Sequence, residues 1–382
     1  MTRIDPARFV NDSALMRVWD ALPEARVVGG AVRDALAERP VADVDLATPR
    51  PPEAVMEALV KAALRAVPTG LAHGTVTAVA DGRGFEVTTL RRDVETDGRR
   101  AVVAFTDDWR QDAARRDFTI NAMSMARDGT VFDYFGGVED LAAGRLRFVG
   151  EPAGRIAEDY LRVLRYFRFY ARYGSEAPDP ATQQALVGGI PGLGVLSVER
   201  VWTEIRLLLS LPDPWRAVAL MRRLGIWAAV LPEAGKDAGA GLPADPILRL
   251  AAMLTGDPLA LAARLRLSNE DRDRLVRLAS TPSARAGDDD ATLRRLLADH
   301  DPADLIGRTW LDGEPEALRL RLSRMERPVF PLEGRDVVAC GVLPGPRVGA
   351  LLREVRQWWL DGGCTADGDA CRMELVRRTC AA

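Results

Sequence analysis

"VVGGAVRDALAERPVADVDLAT", residues 27–48, sets a glycine pair, an Arg-Asp pair and two aspartates one residue apart in one short stretch. Arg26–Gly30 reads as a short apolar strand ending in glycines. Ala31–Glu38 has helical spacing, and Ala42–Ala47 alternates valine and leucine with aspartate, the period of a strand. On a strand, residues i and i+2 point to the same face, so Asp43 and Asp45 project together. Two unpaired carboxylates there repel, and one takes up a proton. A divalent cation removes that conflict. Magnesium suits hard oxygen ligands, keeps several waters, and binds through a few carboxylates plus substrate phosphates. Two such ions can flank an in-line phosphoryl displacement. The plainer reading of the same pair is two solvated aspartates at a strand end.

The flanking sequence adds to the first reading. Gly29-Gly30 stands at a strand-to-helix turn, where backbone N–H groups can hold a triphosphate. Arg33, one helical turn on, can pair with a phosphate oxygen. No Gly-Lys-Ser/Thr follows, so this is not a Walker loop. Thr75–Ala80 and Phe85–Leu90 are β-branched runs separated by "DGRG", a hairpin signal. Glu86 alternates with Phe85 and Val87 and faces the other way, either as a third metal carboxylate or as a surface strand residue.

After residue 150 strand signals nearly vanish. Leu/Ala/Arg segments of helical period take over, broken at "SEAPDP", "LPDP" and "GAGLPADP". The stretch 280–292 reads as an exposed loop. The expected fold class is α+β: a small mixed α/β head over 1–145, then an all-helical remainder, with a neck over 146–210 and a body and tail over 211–382.

Composition narrows the chemistry. The 382 residues carry 47% hydrophobic and 28% charged side chains with a net charge of −3, an ordinary globular balance. Only two histidines occur, His73 and His300, which excludes a His-rich metal centre. The four cysteines form no Cys-x-x-Cys, so zinc is not expected and free thiols are. No apolar run is long enough to span a membrane, and the N-terminus has no signal-peptide pattern. The expected compartment is the cytoplasm.

A second stretch, "EDYLRVLRYFRF" (158–169), reads as a helix. At about 100° per residue, Asp159, Arg162 and Arg165 fall within an arc of about 120°, and Arg168 lies about 180° from Asp159. A carboxylate only accepts hydrogen bonds and a guanidinium only donates them. Cytosine and adenine both present an amino donor beside a ring-nitrogen acceptor, and guanine and uracil reverse the order. An Asp-Arg pair at this spacing therefore suits C and A and rejects G and U. The alternative is an ordinary i,i+3 salt bridge on a solvated helix.

In order along the chain, "GGAVRDALAERPVADVDLAT", "RRDFTINAM" (115–123), "DYFGGVEDL" (133–141), "EDYLRVLRYFRF" and "SVERVWTEI" (197–205) resemble the motifs of the class II tRNA CCA-adding enzymes and their relatives, the bacterial poly(A) polymerases. "FPLEGRDVVACGVLPGPRVGALL" (330–352) is similar to that family's tail, while 207–328 carries little motif content. The resemblance implies template-independent transfer of CMP and AMP from CTP and ATP to the 3′ end of tRNA, with pyrophosphate released. It implies two Mg2+ ions on Asp43, Asp45 and Glu86. It implies nucleotide contacts at Gly30, Arg33, Arg116, Asp117, Asn121, Asp159, Arg162, Arg165 and Arg168. The implied partners are the acceptor end of tRNA and nucleoside triphosphates, with no DNA and no membrane. Relatives that add only CC, only A or poly(A) share these motifs. The stretch Arg92–Trp109 shows neither helical nor long strand periodicity and reads as a movable loop. By resemblance, its part Asp97–Ala104 is needed for the final adenosine.

Overall fold

The structure, a computed structural model, describes all residues except 1, 6–8, 10–11, 97–100, 239–240 and 381–382. Nine strands are present among the described residues: β1 Arg26–Val28, β2 Leu46–Thr48, β3 Arg65–Gly70, β4 Thr75–Ala80, β5 Arg83–Thr89, β6 Arg91–Thr96, β7 Ala101–Phe105, β8 Met123–Met125 and β9 Val131–Asp133. Seven of them form one mixed sheet in the order β3-β4-β5-β2-β1-β8-β9, with β2 and β5 parallel. β4 and β5 are joined by Asp81-Gly82, both at positive φ, which is the two-residue hairpin that "DGRG" announces.

The helices Ser13–Ala21 and Pro52–Lys61 supply Leu15, Val18, Trp19, Val55 and Leu59 to one core with Val27, Leu46, Val76, Phe85 and Val87 of the sheet. Each fully buried Leu, Val or Phe in such a core contributes about 2 kcal/mol of transfer free energy. Phe85 and Val87 are buried and Glu86 between them is exposed, as the alternation requires.

The strand expected over Ala42–Ala47 is shorter. β2 begins at Leu46, so Asp43 and Asp45 lie on its extended lead-in. The cause is the neighbour. β1 pairs Arg26 with Ala47 and Val27 with Leu46, and Val28 N–H still reaches Asp45 O at 3.0 Å. The chain then turns away at Gly29, φ +64°, and leaves Asp43 without a ladder partner on that side.

The movable loop expected over Arg92–Trp109 is instead largely a hairpin. β6 and β7 pair antiparallel, Arg92 opposite Ala104, with a bulge between Asp93 and Glu95. A helix then starts at Trp109, capped by Asp108. Of the segment tied to adenosine addition, 97–100 lie outside the described residues and Ala101–Ala104 belong to β7.

The chain divides into two compact units, Met1–Pro232 and Glu233–Ala382. In the first, helices follow the sheet, and none of the described residues after Asp133 forms a named strand. The helix Leu161–Tyr173 buries Leu161, Val163, Leu164, Tyr166, Phe167, Phe169 and Tyr170. Phe118 packs on it, 5.3 Å from Phe169 and 5.9 Å from Tyr166, and so ties the "RRDFTINAM" segment to this helix. The second unit is helical, with separate apolar clusters around Leu293–Leu322 and Leu332–Leu375. Three of its helix starts are written as Asp-Pro. Asp245, Asp257 and Asp301 each cap a helix whose first residue is proline, and Asp179-Pro180 does the same in the first unit. The carboxylate accepts the orphan N–H groups, and proline presets the helical φ. The breaks read from "SEAPDP" and "GAGLPADP" are thus also start signals.

Candidate active site

A cleft of about 430 Å³ is lined by Gly29, Gly30, Arg33, Arg116, Asp117, Asn121, Asp159, Arg162, Arg165 and Phe169. Every sequence-derived nucleotide residue except Arg168 is there. Arg168 Nε instead donates to Glu204 at 2.6 Å.

Gly29 must lack a side chain. Its φ is +64°, and a Cβ would lie 2.7 Å from Arg116 Nη1. Arg33 is buried and fixed, donating to Asn121 Oδ1 at 2.6 Å and Asp34 at 3.0 Å, with its guanidinium 4.5 Å from the Tyr173 ring centre. Asn121 in turn donates to Asp117 Oδ1 at 2.9 Å, and Arg165 donates twice to Asp117 Oδ2, at 2.6 and 2.9 Å. Burial of Asp117 opposes its ionisation, but the Arg165 charge and the hydrogen bonds from Asn121, Arg165 and the Phe118 N–H hold its carboxyl below the usual range. Asp117 is therefore a buried carboxylate that holds Asn121 and Arg165.

Asp159 does not lie on the helix Leu161–Tyr173. It ends the helix Pro152–Glu158 in an extended conformation, and the next helix begins at Leu161. The wheel angle expected for it does not hold, because two helices meet at a bend there. The bend still brings Asp159 into the cleft with Arg162 and Arg165. Nor do Asp159 and Arg162 form the i,i+3 salt bridge. Asp159 accepts from the Leu161 N–H at 3.1 Å and from Arg200 at 2.8 Å, and Arg162 donates to Glu158 at 2.5 Å and Arg155 O at 2.7 Å.

Asp43, Asp45 and Glu86 line a second, open pocket with Thr77 and Arg83. The parallel register Leu46–Val87, carried one residue back, sets Asp45 beside Glu86. Crowding by protein, then the Glu86 charge, raise the Asp45 carboxyl from its ordinary value, with Asp43 adding to the rise and Arg116 opposing it, although Asp45 still reaches solvent. Hard oxygen donors with unrelieved repulsion fit magnesium. Among the described residues no three potential ligands are already gathered into a cation cage, and magnesium, which keeps its waters, does not need one.

Arg116 lies between the two pockets. It lines the cleft and its charge acts on Asp45. Burial lowers its guanidinium from the ordinary value, and Asp112 opposes that.

Sequence reasoning passed over Arg200, Glu204 and Asp112. Glu204 is buried on the helix Val198–Leu209 between Val201 and Leu208 and pairs with Arg168 and Arg165. A lone carboxylate on the apolar stripe of "SVERVWTEI" is the signal that could have found it. His73 sits in a short turn and accepts from Arg91 on its backbone oxygen, Trp202 is core, and all four cysteines are free.

Residues 25–147 match the family model described as Poly A polymerase head domain, and residues 177–237 the model described as Probable RNA and SrmB- binding site of polymerase A. The mitochondrial CCA tRNA nucleotidyltransferase 1 of Mus musculus is 36% identical over 93% of this chain and 87% of its own length. The chain belongs to the class II CCA-adding nucleotidyltransferase family.

The CCA-adding enzyme of Geobacillus stearothermophilus is 42% identical over 56% of this chain and 52% of its own length. A crystal structure of the Bacillus stearothermophilus CCA-adding enzyme in complex with CTP superposes with a TM-score of 0.78 at 28% identity, covering 96% of this chain and 97% of that one. The mixed head and helical remainder are thus the CCA-adding nucleotidyltransferase fold. No helix among the described residues is long and apolar enough to cross a membrane.

Proposed function

We propose that this chain is a CCA-adding tRNA nucleotidyltransferase that transfers CMP twice and AMP once from CTP and ATP to the 3′ end of tRNA, releasing pyrophosphate each time. The observation that carries this reading is the convergence of Asp159, Arg162 and Arg165 with the Gly29-Gly30 turn, beside the carboxylate pocket and joined to it by Arg116. Relatives named as CCA-adding enzymes support it.

In this reading the tRNA 3′-hydroxyl oxygen forms a bond to the α-phosphorus while the bond to the β-phosphate breaks. No covalent enzyme intermediate is needed. Asp43, Asp45 and Glu86 would hold the magnesium ions. Those ions, when bound, activate the attacking hydroxyl and neutralise charge on the leaving pyrophosphate. Gly30 and Arg33 face the triphosphate and Arg116 the sugar-phosphate. Asp117 and Asn121 hold Arg165 and Arg33 in place, and Asp159 with Arg162 and Arg165 reads the base edge. Arg168, paired with Glu204, acts through the neck rather than on the nucleotide. Residues 1–145 form the head, 146–210 the neck, and 211–382 the body and tail that grip tRNA. The free thiols suit a reducing compartment such as the cytoplasm.

A poly(A) polymerase or a CC-only or A-only enzyme would use the same cleft. A tRNA transcript lacking CCA, given CTP, ATP and both, separates them on a gel. Two added residues with CTP and three with both are expected. A long ladder with ATP alone makes the chain a poly(A) polymerase, and a stop after two with both nucleotides makes it a CC-adding enzyme.

Asp45 must be ionised to hold a cation, so activity falls as pH drops through its raised carboxyl range. Removing the Glu86 charge lowers that carboxyl. Glu86→Gln should therefore move the acidic limb of kcat/KM to lower pH, whatever it does to the maximum. An unmoved limb would show that Glu86 does not act on Asp45.

A further inference from the structure

The β6–β7 hairpin leaves the sheet at Leu90 and returns at Thr106, whose N–H bonds Leu90 O at 3.0 Å. Its base is held in three places. The Arg91 side chain donates to His73 O at 2.7 Å. The Phe105 ring lies against Gly74, where a Cβ would come within 2.7 Å of it. The Arg91 N–H donates to Asp112 Oδ1 at 3.3 Å.

The third anchor differs in kind. Asp112 is buried, and its carboxylate also accepts from Arg115 Nε at 2.9 Å and from Arg116 Nη2 at 3.4 Å. Arg116 has another contact at Asn121 O, a long 3.5 Å. One buried carboxylate thus holds the hairpin base on one oxygen and, on the other, the arginine between the cleft and Asp45. Bonds that share a buried carboxylate are coupled, because moving one partner changes the charge and orientation offered to the others.

We propose that Asp112 is a positioning residue that couples the hairpin Arg91–Phe105 to Arg116, so that the placement of the hairpin sets where Arg116 meets the nucleotide. This rests on the reading of the cleft as a nucleotide site.

A double-mutant cycle tests it. One variant is Asp112→Asn, which keeps the shape and removes the charge. The other joins Arg92 to Ala104, which face each other in the hairpin, through a two-residue Asn-Gly turn and so keeps the hairpin base. Dissociation constants for CTP and ATP are measured on the full chain without tRNA, alongside kcat and KM for transfer. Shortening the hairpin should weaken binding of at least one nucleotide by about tenfold in the parent. In the Asp112→Asn background it should change nothing further. Asp112→Glu, which keeps the charge, should restore part of the coupling. An equal effect of shortening in both backgrounds overturns the proposal, as does no effect in the parent. Should Asp112→Asn fail to fold, Arg116→Lys breaks the same link from the other end and must likewise silence the hairpin. A parent that binds nucleotide without transferring it overturns the functional reading alone, since the cycle is read in binding. A parent that binds neither nucleotide overturns both.

Discussion

Asp45→Ala or Asp43→Ala should abolish nucleotidyl transfer, with kcat down on the order of a thousandfold or more, while the protein stays folded. The structure separates these effects. Both side chains are exposed to an open pocket and neither supports the core, while the strand that follows them is held by its backbone pairing and by the buried Leu46. The sign for stability follows from the same charges. The folded-state carboxyl of Asp45 is raised, so its ionised form opposes folding. That cost is absent at low pH and appears as pH rises through the range between its unfolded and folded values. In metal-free protein at neutral pH, Asp45→Asn should therefore melt no lower than the parent. Circular dichroism melts and CMP incorporation on the same samples decide the matter. Near-normal CMP incorporation by either alanine variant would end the metal assignment, and a collapse of melting temperature would make the residues structural.

Asp159→Ala should lose base choice more than stability. Discrimination of C and A against G and U is expected to fall by about two orders of magnitude, because the rejected bases no longer set a carbonyl against a carboxylate. Asp159→Asn sharpens the test. An amide offers a donor as well as an acceptor, so this variant should gain incorporation of UMP or GMP rather than merely lose CMP. Asp159 is held from behind by Arg200 and the Leu161 N–H. Arg200→Ala should therefore raise KM for both natural nucleotides without the gain in the wrong ones. Single-nucleotide incorporation with all four triphosphates reads these outcomes. An unchanged preference in Asp159→Ala would reduce the residue to a partner of Arg200.

Local periodicity carried a large part of this molecule. The period-two runs with Asp-Gly between them become β4 and β5. The apolar alternation about Glu86 places it on the outer face, and the glycine pair becomes the turn that Arg116 crowds. These features depend on a few adjacent residues, and the chain encodes them directly. The Asp159–Arg165 spacing points to residues that do share one cleft, but no periodicity reveals that the helix breaks at Asp159.

The remainder depends on partners distant in sequence. β2 starts only at Leu46 because β1 turns away at Gly29, a matter of which strand lies alongside. β6 and β7 are stabilised by each other, and their bulge disrupts the alternation that would have announced them. The arginines of the helix Leu161–Tyr173 are the clearest case. Arg162 is held locally by Glu158 at i,i+4, yet Asp117 and Glu204, from two distant segments, decide where Arg165 and Arg168 point. The chain determined that cations and carboxylates of the right kind would be present, because composition and spacing are local. Which carboxylate holds Arg165, Arg168 or Arg200 was decided only when folding brought residues 36 or more positions apart within hydrogen-bonding distance.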